Sequence, residues 1–139
     1  MSTPYQDRPL GAVITDAATA PYWAAAREGV LKLRRCTACA QVHWYPRPVC
    51  PYCYSMNHRW VPASCCGTVH SWTVAHHPFH PGFKPDLPYT LVTVDLEEGV
   101  RLNAQARGLD AKDLRIGLPV KIVFELAAKD LTLPVVIKA

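Results

Sequence analysis

Apolar and polar residues alternate along the C-terminal half of the chain, and this pattern predicts β-strands there. The clearest case is residues 120–126, where every second residue from Val120 to Leu126 is apolar and the residues between include Lys121 and Glu125. Alternation of this kind is typical of a strand with one buried face. Strands are expected at Thr68–His76, Tyr89–Leu96, Val100–Arg107, 120–126 and Leu133–Ile137. The fold class indicated is mainly β.

The connections between these strands limit the number of possible folds. Glu97-Glu98-Gly99 is suited to a tight turn between the second and third strands, and Asp110–Leu114 to one helical turn between the third and fourth. Five short strands with one small helix between the third and fourth predict a five-stranded Greek-key barrel of the OB type. An open five-stranded sheet is the alternative.

An N-terminal helical segment is expected at residues 16–30. Thr19 can cap the helix, Pro21 falls in its first turn, and Gly29 can end it. Tyr22 and Trp23 are adjacent and so form one broad apolar patch. We expect this short helix to pack against the body of the protein, because it is too short to be stable alone; a partner-binding helix is the alternative.

The chain has 139 residues, half of them hydrophobic, and a formal net charge of +4. This composition excludes wholesale disorder. No apolar run approaches the roughly 20 residues of a membrane-spanning helix, and no signal peptide is visible, so a cytoplasmic protein is expected. The mild positive charge suits an anionic small ligand or an acidic partner and is too weak to indicate nucleic acid.

Four cysteines form two Cys-x-x-Cys pairs, Cys36/Cys39 and Cys50/Cys53, with ten residues between the pairs. Each pair can direct two sulfurs at one ion, and a hairpin through residues 42–45 would bring the pairs together. Four sulfurs in a tetrahedron are the closed geometry of structural zinc, which stabilises a fold and does not catalyse. The alternatives are redox iron, which four thiolates hold in rubredoxin, and four free thiols.

Several motifs between Thr19 and Leu133 resemble one family in their order and spacing. The matching segments are Tyr22-Trp23, Arg27–Leu31, Arg35–Cys39, Pro46–Cys53, Gly67–Val74, His76–Phe79, Pro88-Tyr89, Glu98–Leu102 and Ile116–Val120. In these segments the chain is similar to the zinc-ribbon/OB-fold acyl-CoA-associated proteins, long classed as a domain of unknown function. The resemblance implies an N-terminal helical segment at residues 1–33, a rubredoxin-like zinc ribbon at 34–62 and an OB-fold barrel at 63–139.

The resemblance also implies a function beside thiolase-like enzymes. Family members pair with a thiolase, an acyltransferase of the thiolase superfamily, or an aldolase acting on steroid or aromatic acyl-CoA. The small protein is then one subunit of a hetero-oligomer and helps to form the CoA-thioester site, while the large partner contributes the catalytic residues. No residue of this chain is expected to be catalytic, because no nucleophile with a positioned base can be named.

The chain departs from the family pattern in two places. Cys65 and Cys66 stand where glycine and a polar residue are expected, in a turn before the first barrel strand. We expect both to be free thiols outside the metal site. Ala40 and Tyr54 stand where glycines usually follow the cysteine pairs, so a slightly different geometry of these turns is expected.

A proline-rich loop between the first two barrel strands is the candidate docking surface. His76, His77, Phe79 and Phe83 lie in or beside it, and three prolines stiffen it. Exposed aromatic side chains on a long loop suit contact with a partner or an acyl chain. The alternatives are packing of the loop against the barrel and a second metal site at the histidines.

Arg101 and Arg107 on the third barrel strand are candidate partners for the phosphates of CoA, because phosphate recognition needs positive charge. Solvated surface charge is the alternative for each.

Two other functions compete with that of an accessory subunit. One is a nucleic-acid-binding zinc-ribbon/OB module, although the strands lack the interleaved basic and aromatic residues of single-strand binders. The other is an independent enzyme.

Overall fold

The computed structural model describes residues 17–128 and 131–139. Within these residues there is one α-helix, α1 (Ala20–Arg27), and the strands are β1 (Lys32–Cys36), β2 (Val42–His43), β3 (His58–Pro62), β4 (Cys66–Ala75), β5 (Tyr89–Leu96), β6 (Arg101–Ala106), β7 (Pro119–Ala128) and β8 (Leu131–Lys138). Short 3-10 helices at Pro81–Asp86 and Ala111–Asp113 lie in two of the connections. In the described part of the chain, no helix is long and apolar enough to cross a membrane.

A proline and a glycine set the ends of α1. Pro21 lies in the first turn, and Gly29 follows the helix with a φ of 76°, a left-handed conformation that ends a helix without a side-chain clash. Thr19 occupies the N-cap position, as predicted, but its side chain makes no cap hydrogen bond. Its backbone carbonyl accepts from the N–H groups of Tyr22 and Trp23. Tyr22 is buried against the body of the protein, which confirms that α1 packs onto it.

Strands β1, β2 and β3 form a small antiparallel sheet in the order β2-β1-β3. In its centre, Arg34 pairs with His43 of β2 on one side and with Trp60 of β3 on the other. Because β2 is only two residues long, the hairpin between the cysteine pairs is mostly irregular. This sheet and its turns carry all four cysteines of the two Cys-x-x-Cys pairs.

The other five strands close into a barrel in the order β4-β5-β6-β8-β7. β4 closes the barrel by pairing with β5 along its length and with β7 through Cys66–Thr68. β6 and β8 run parallel, and the other neighbouring strands run antiparallel. This arrangement confirms the predicted five-stranded OB-type barrel, and the alternative of an open sheet is wrong.

The C-terminal end of β7 departs from the alternation seen in the sequence. Val120 and Ile122 are buried as the pattern predicts, but Leu126 is 56% exposed and Ala127 is buried. The register between β7 and β8 shifts between Leu126 and Ala128. A bulged residue interrupts the two-residue period of a strand and changes the face on which its neighbours lie. Alternation therefore predicted the strand but not the outward position of Leu126.

A single apolar core joins the small sheet to the barrel. Leu31 and Leu33, just before and within β1, are fully buried in the same cluster as Val92 and Val94 of β5. Full burial of such a side chain contributes about 1.5–3 kcal/mol. The start of the small sheet is therefore part of the barrel's core, and the two parts of the molecule stabilise each other.

Replacing Gly67 of β4 by alanine is expected to destabilise the barrel. A Cβ at this position would collide with the backbone oxygen of Asp95 and lie 2.7 Å from Val94 Cγ1. Because paired backbone cannot move aside freely, the free energy of unfolding should fall by about 2 kcal/mol, as measured by urea denaturation. Thr68→Ala at the exposed neighbouring position is the control and should change it by about 0.5 kcal/mol or less. Equal stabilities of the two variants would contradict the prediction.

Candidate functional site

The four cysteines of the two pairs converge on one point. All four Sγ atoms, of Cys36, Cys39, Cys50 and Cys53, lie within 4.8 Å of one another. The Cys36–Cys53 and Cys39–Cys50 sulfurs are 3.6 and 3.7 Å apart. A tetrahedral zinc ion with Zn–S bonds of about 2.3 Å separates its sulfurs by about 3.8 Å. The four sulfurs therefore lie close enough together to bind one ion.

Backbone geometry in the two cysteine turns prepares the sulfurs for a metal. The N–H groups of Ala40 and Tyr54 donate to the carbonyls of Cys36 and Cys50, each at 3.0 Å. Ala40 and Tyr54 adopt left-handed conformations, with φ of 64° and 62°, so the turns keep the shape that glycine usually provides. The backbone N–H of Cys39 donates to Cys36 Sγ and lowers the pKa of Cys36 to about 6. This favours a thiolate at Cys36, whereas burial and the neighbouring sulfurs raise the pKa of Cys39 and Cys53.

A buried arginine connects the parts of the small sheet around the sulfurs. Arg34 Nη1 donates to the carbonyl of Arg47 at 2.8 Å, and Arg34 Nη2 lies 2.8 Å from His58 Nδ1. The guanidinium also stacks over the Trp60 ring at 5.8 Å from its centroid. Arg34 thus ties β1 to β3 and to the loop that precedes Cys50. No local sequence pattern predicts this role, because a single arginine in a strand is usually exposed.

The predicted docking loop presents one aromatic ring to solvent. Phe79 is 86% exposed and contacts His77 edge to face, with 4.8 Å between ring centroids. Phe83 is half-buried within the 3-10 helix Pro81–Asp86 and faces His80 at 6.4 Å. His76 and His77 are exposed. The loop therefore has an exposed part around Phe79 and a 3-10 helical part in which Phe83 is half-buried.

The two predicted CoA-binding arginines lie at opposite ends of β6. Arg101 is at its start, where Nε donates to Asp95 Oδ1 at 2.6 Å; this bond holds the pKa of Asp95 below its usual value. Arg107 follows its end and binds both carboxylate oxygens of Glu125, at 2.9 and 2.7 Å. Six extended residues span roughly 20 Å, so a single phosphate cannot reach both. Arg107 lies at the same end of the barrel as the docking loop.

Trp44 and Tyr45 line two clefts that the sequence did not reveal. An apolar cleft of about 340 Å³ lies between these residues, α1 and strands β6 and β8. A polar cleft of about 420 Å³ lies between them and the turn joining β5 to β6, and Arg47 and Arg101 line it. The Asn103 N–H donates to Tyr45 Oη at 3.3 Å. The concentration of aromatic residues at 22–23 and 44–45 was the available signal for the apolar cleft.

Cys65 and Cys66 lie apart from the metal site in the turn that enters β4. Cys65 adopts a left-handed conformation with a φ of 64°, and burial raises the pKa of its thiol. Cys66 Sγ donates to the carbonyl of Ser64 at 3.5 Å. Both thiols are free, as expected, and Cys65 takes the backbone conformation that the expected glycine would favour.

Protein-family models match both parts of the chain. Residues 23–59 match the rubredoxin-like zinc ribbon domain of ChsH2, and residues 60–125 match the C-terminal OB-fold domain of ChsH2. A DUF35 domain-containing scaffold protein of Methanocaldococcus jannaschii is 30% identical over 69% of this chain and 68% of its own length. The chain belongs to the DUF35 family.

Two further similarities are to a chain of a solved structure and to a longer relative. A chain of a solved "Ltp2-ChsH2(DUF35) aldolase" is 37% identical, with a TM-score of 0.80 over 88% of this chain and 95% of that chain. A protein of Thermomonospora curvata described as a "Probable enoyl-CoA hydratase alpha subunit" is 40% identical over 92% of this chain. This chain spans only 39% of the length of that relative.

Membership of the DUF35 family and the sulfur geometry together support structural zinc at the four cysteines. Four protein sulfurs complete a tetrahedral zinc site and leave no position for a substrate. In this DUF35 protein the ion would hold the two cysteine turns together and so stabilise the small sheet.

Proposed function

We propose that this protein is a non-catalytic accessory subunit that binds a thiolase-like enzyme and helps to form its acyl-CoA site. The main support is the 37% identity to a chain of an Ltp2-ChsH2(DUF35) aldolase, over 95% of that chain. Its relative in Methanocaldococcus jannaschii is described as a scaffold protein. A closed four-sulfur metal site fits a structural role better than a catalytic one.

The loop around Phe79 is the proposed contact with the enzyme. An aromatic ring that is 86% exposed leaves a large apolar area in water, and such rings are typical anchors at the centres of interfaces. Prolines 78, 81 and 85 and the 3-10 helix Pro81–Asp86 limit the freedom of the loop. Because a rigid loop loses little conformational entropy on binding, this segment suits a docking role.

Copurification with a candidate enzyme tests the proposal. The chain and a thiolase-like enzyme from the same host would be coexpressed, with an affinity tag on the enzyme only, and analysed by size-exclusion chromatography with light scattering. We expect a hetero-oligomer that persists at moderate salt. Separate elution of the two proteins would contradict the proposal. Partner-independent binding to single-stranded oligonucleotides that weakens steeply with salt would favour the nucleic-acid module instead.

Within such a complex, Arg101 is the proposed contact with a phosphate of CoA. It lines the polar cleft together with Arg47 and bonds Asp95 through Nε. Arg107 instead uses both Nε and Nη2 in a bidentate pair with Glu125. A charge-assisted bond to phosphate is worth about 1.5–3 kcal/mol.

Arg101→Ala is therefore expected to raise the Kd of the complex for acyl-CoA about tenfold or more while assembly stays unchanged. Isothermal titration of the purified complex measures this affinity. Arg59→Ala, which removes an exposed arginine of β3, is the matched control. If the two variants bind acyl-CoA as tightly as the wild type, Arg101 is a solvated surface charge.

A further inference from the structure

We infer that the apolar cleft between α1, Trp44–Pro46, β6 and β8 is a binding site for an uncharged, ring-containing apolar molecule. The inference rests on the cleft of this chain alone and does not depend on the proposed partner. Its support comes from the arrangement of the aromatic rings, the size of the cleft and the chemistry of its lining.

One wall of the cleft is a continuous surface of aromatic rings. The ring centroids of Tyr22 and Trp23 are 4.9 Å apart, those of Tyr22 and Trp44 are 4.7 Å apart, and those of Trp44 and Tyr45 are 5.3 Å apart. Rings at these distances stack or meet edge to face, and a flat ring system entering the cleft can extend the same packing. Leu102 also lines the cleft.

The volume of the cleft suits more than one ring. It measures about 340 Å³, at the lower end of the roughly 300–1,000 Å³ typical of small-molecule sites. A cavity of about 150 Å³ holds one benzene molecule. One aromatic side chain inserted by a partner protein would therefore fill only about half of the cleft. The size favours a small molecule with two fused or linked rings over a single side chain.

The lining carries no charged side chain among the described residues. Its polar side-chain groups are those of Thr19, Asn103 and Gln105, the phenols of Tyr22 and Tyr45, and the indole N–H groups of Trp23 and Trp44. Burial raises the pKa of Tyr22 well above its usual value, so its phenol stays neutral. A carboxylate or phosphate in this cleft would lose water without gaining a cation. The side-chain amides of Asn103 and Gln105 instead suit a carbonyl, hydroxyl or amide group.

The test compares two probes of nearly equal shape, naphthamide and naphthoate, by nuclear magnetic resonance on the full-length, zinc-loaded chain. The indole N–H signals of the tryptophans, assigned through single Trp→Phe variants, report the location of binding. Trp23 and Trp44 line the cleft, whereas Trp72 does not. We expect naphthamide to shift the Trp23 and Trp44 signals saturably, to leave Trp72 unchanged, and to bind about tenfold or more tightly than naphthoate.

Filling the cleft provides an independent check by calorimetry. Leu133→Trp places extra bulk on a cleft-lining residue of β8 and should weaken naphthamide binding about tenfold or more. Leu126→Trp makes the same change at an exposed position of β7 and should bind as the wild type does. If Leu133→Trp does not fold, the shifts of the indole N–H signals in the wild-type protein test the inference without this variant.

Any of these results would overturn the inference: no saturable shift with naphthamide, equal or tighter binding of naphthoate, or normal naphthamide binding by a folded Leu133→Trp. Shifts of Trp23 and Trp44 that occur only when a partner protein is added would also overturn it, in favour of a protein side chain as the occupant.

Discussion

Replacing Cys39 by serine is expected to abolish stoichiometric zinc binding and to unfold the small sheet, residues 32–62. Zinc binding by four-ligand sites of this kind is worth about 10–16 kcal/mol, which equals or exceeds the total stability of a typical domain. The small sheet has little core of its own, because its β2 is two residues long and its best-buried leucines pack in the cluster shared with the barrel. Metal analysis and circular dichroism measure the two effects.

The shared core extends this prediction to the barrel. Leu31 and Leu33 are fully buried beside Val92 and Val94, so loosening of β1 removes apolar contacts from the barrel. We therefore expect the barrel to remain folded but to melt about 10 °C or more below the wild type. Cys66→Ser makes the same substitution outside the metal site and should keep one zinc per chain. A Cys39→Ser protein with full zinc content would exclude Cys39 as a ligand.

Replacing Phe79 by alanine is expected to weaken assembly with the proposed thiolase-like enzyme. Truncation of an aromatic anchor costs about 2 kcal/mol or more at an interface, which is roughly a thirtyfold increase in Kd. Because Phe79 is 86% exposed in the free chain, the thermal stability and zinc content of the variant should match the wild type. Surface plasmon resonance with immobilised enzyme measures the affinity.

Ile116→Ala is the matched control for Phe79→Ala. Ile116 is also highly exposed but lies beside the other end of β4, where the Gly117 N–H donates to the Val69 carbonyl. Ile116→Ala should therefore raise the Kd for the enzyme less than Phe79→Ala does. Phe83→Ala is less informative, because Phe83 is half-buried and packs on His80, so its truncation also alters the loop itself. If Phe79→Ala and Ile116→Ala bind the enzyme equally well, the loop is not the anchor.

Local sequence patterns predicted the strands and the metal site because both depend on spacing. The two-residue period predicted the barrel strands. The two Cys-x-x-Cys pairs predicted a metal site, and the structure brings their four sulfurs within 4.8 Å of one another. Other features depend on contacts between distant residues and leave no local pattern. Examples are the pairing of Arg107 with Glu125, the buried bond from Arg34 to the Arg47 carbonyl, and the register shift near Leu126.

In the part of the chain that the structure describes, non-glycine residues hold the left-handed conformation at three turns, those of Ala40, Tyr54 and Cys65. A side chain in this conformation costs roughly 1 kcal/mol relative to glycine, so each of these turns lowers the stability of the folded protein by about that amount. At Ala40 and Tyr54 the far larger free energy of zinc binding holds the backbone in place. The ion therefore makes the sequence of these turns tolerant of mutation, and positions that would otherwise require glycine become free to vary during evolution. Cys65 is not part of the four-sulfur cluster, so zinc binding does not support its turn directly, and this turn should be the least tolerant of the three to further change.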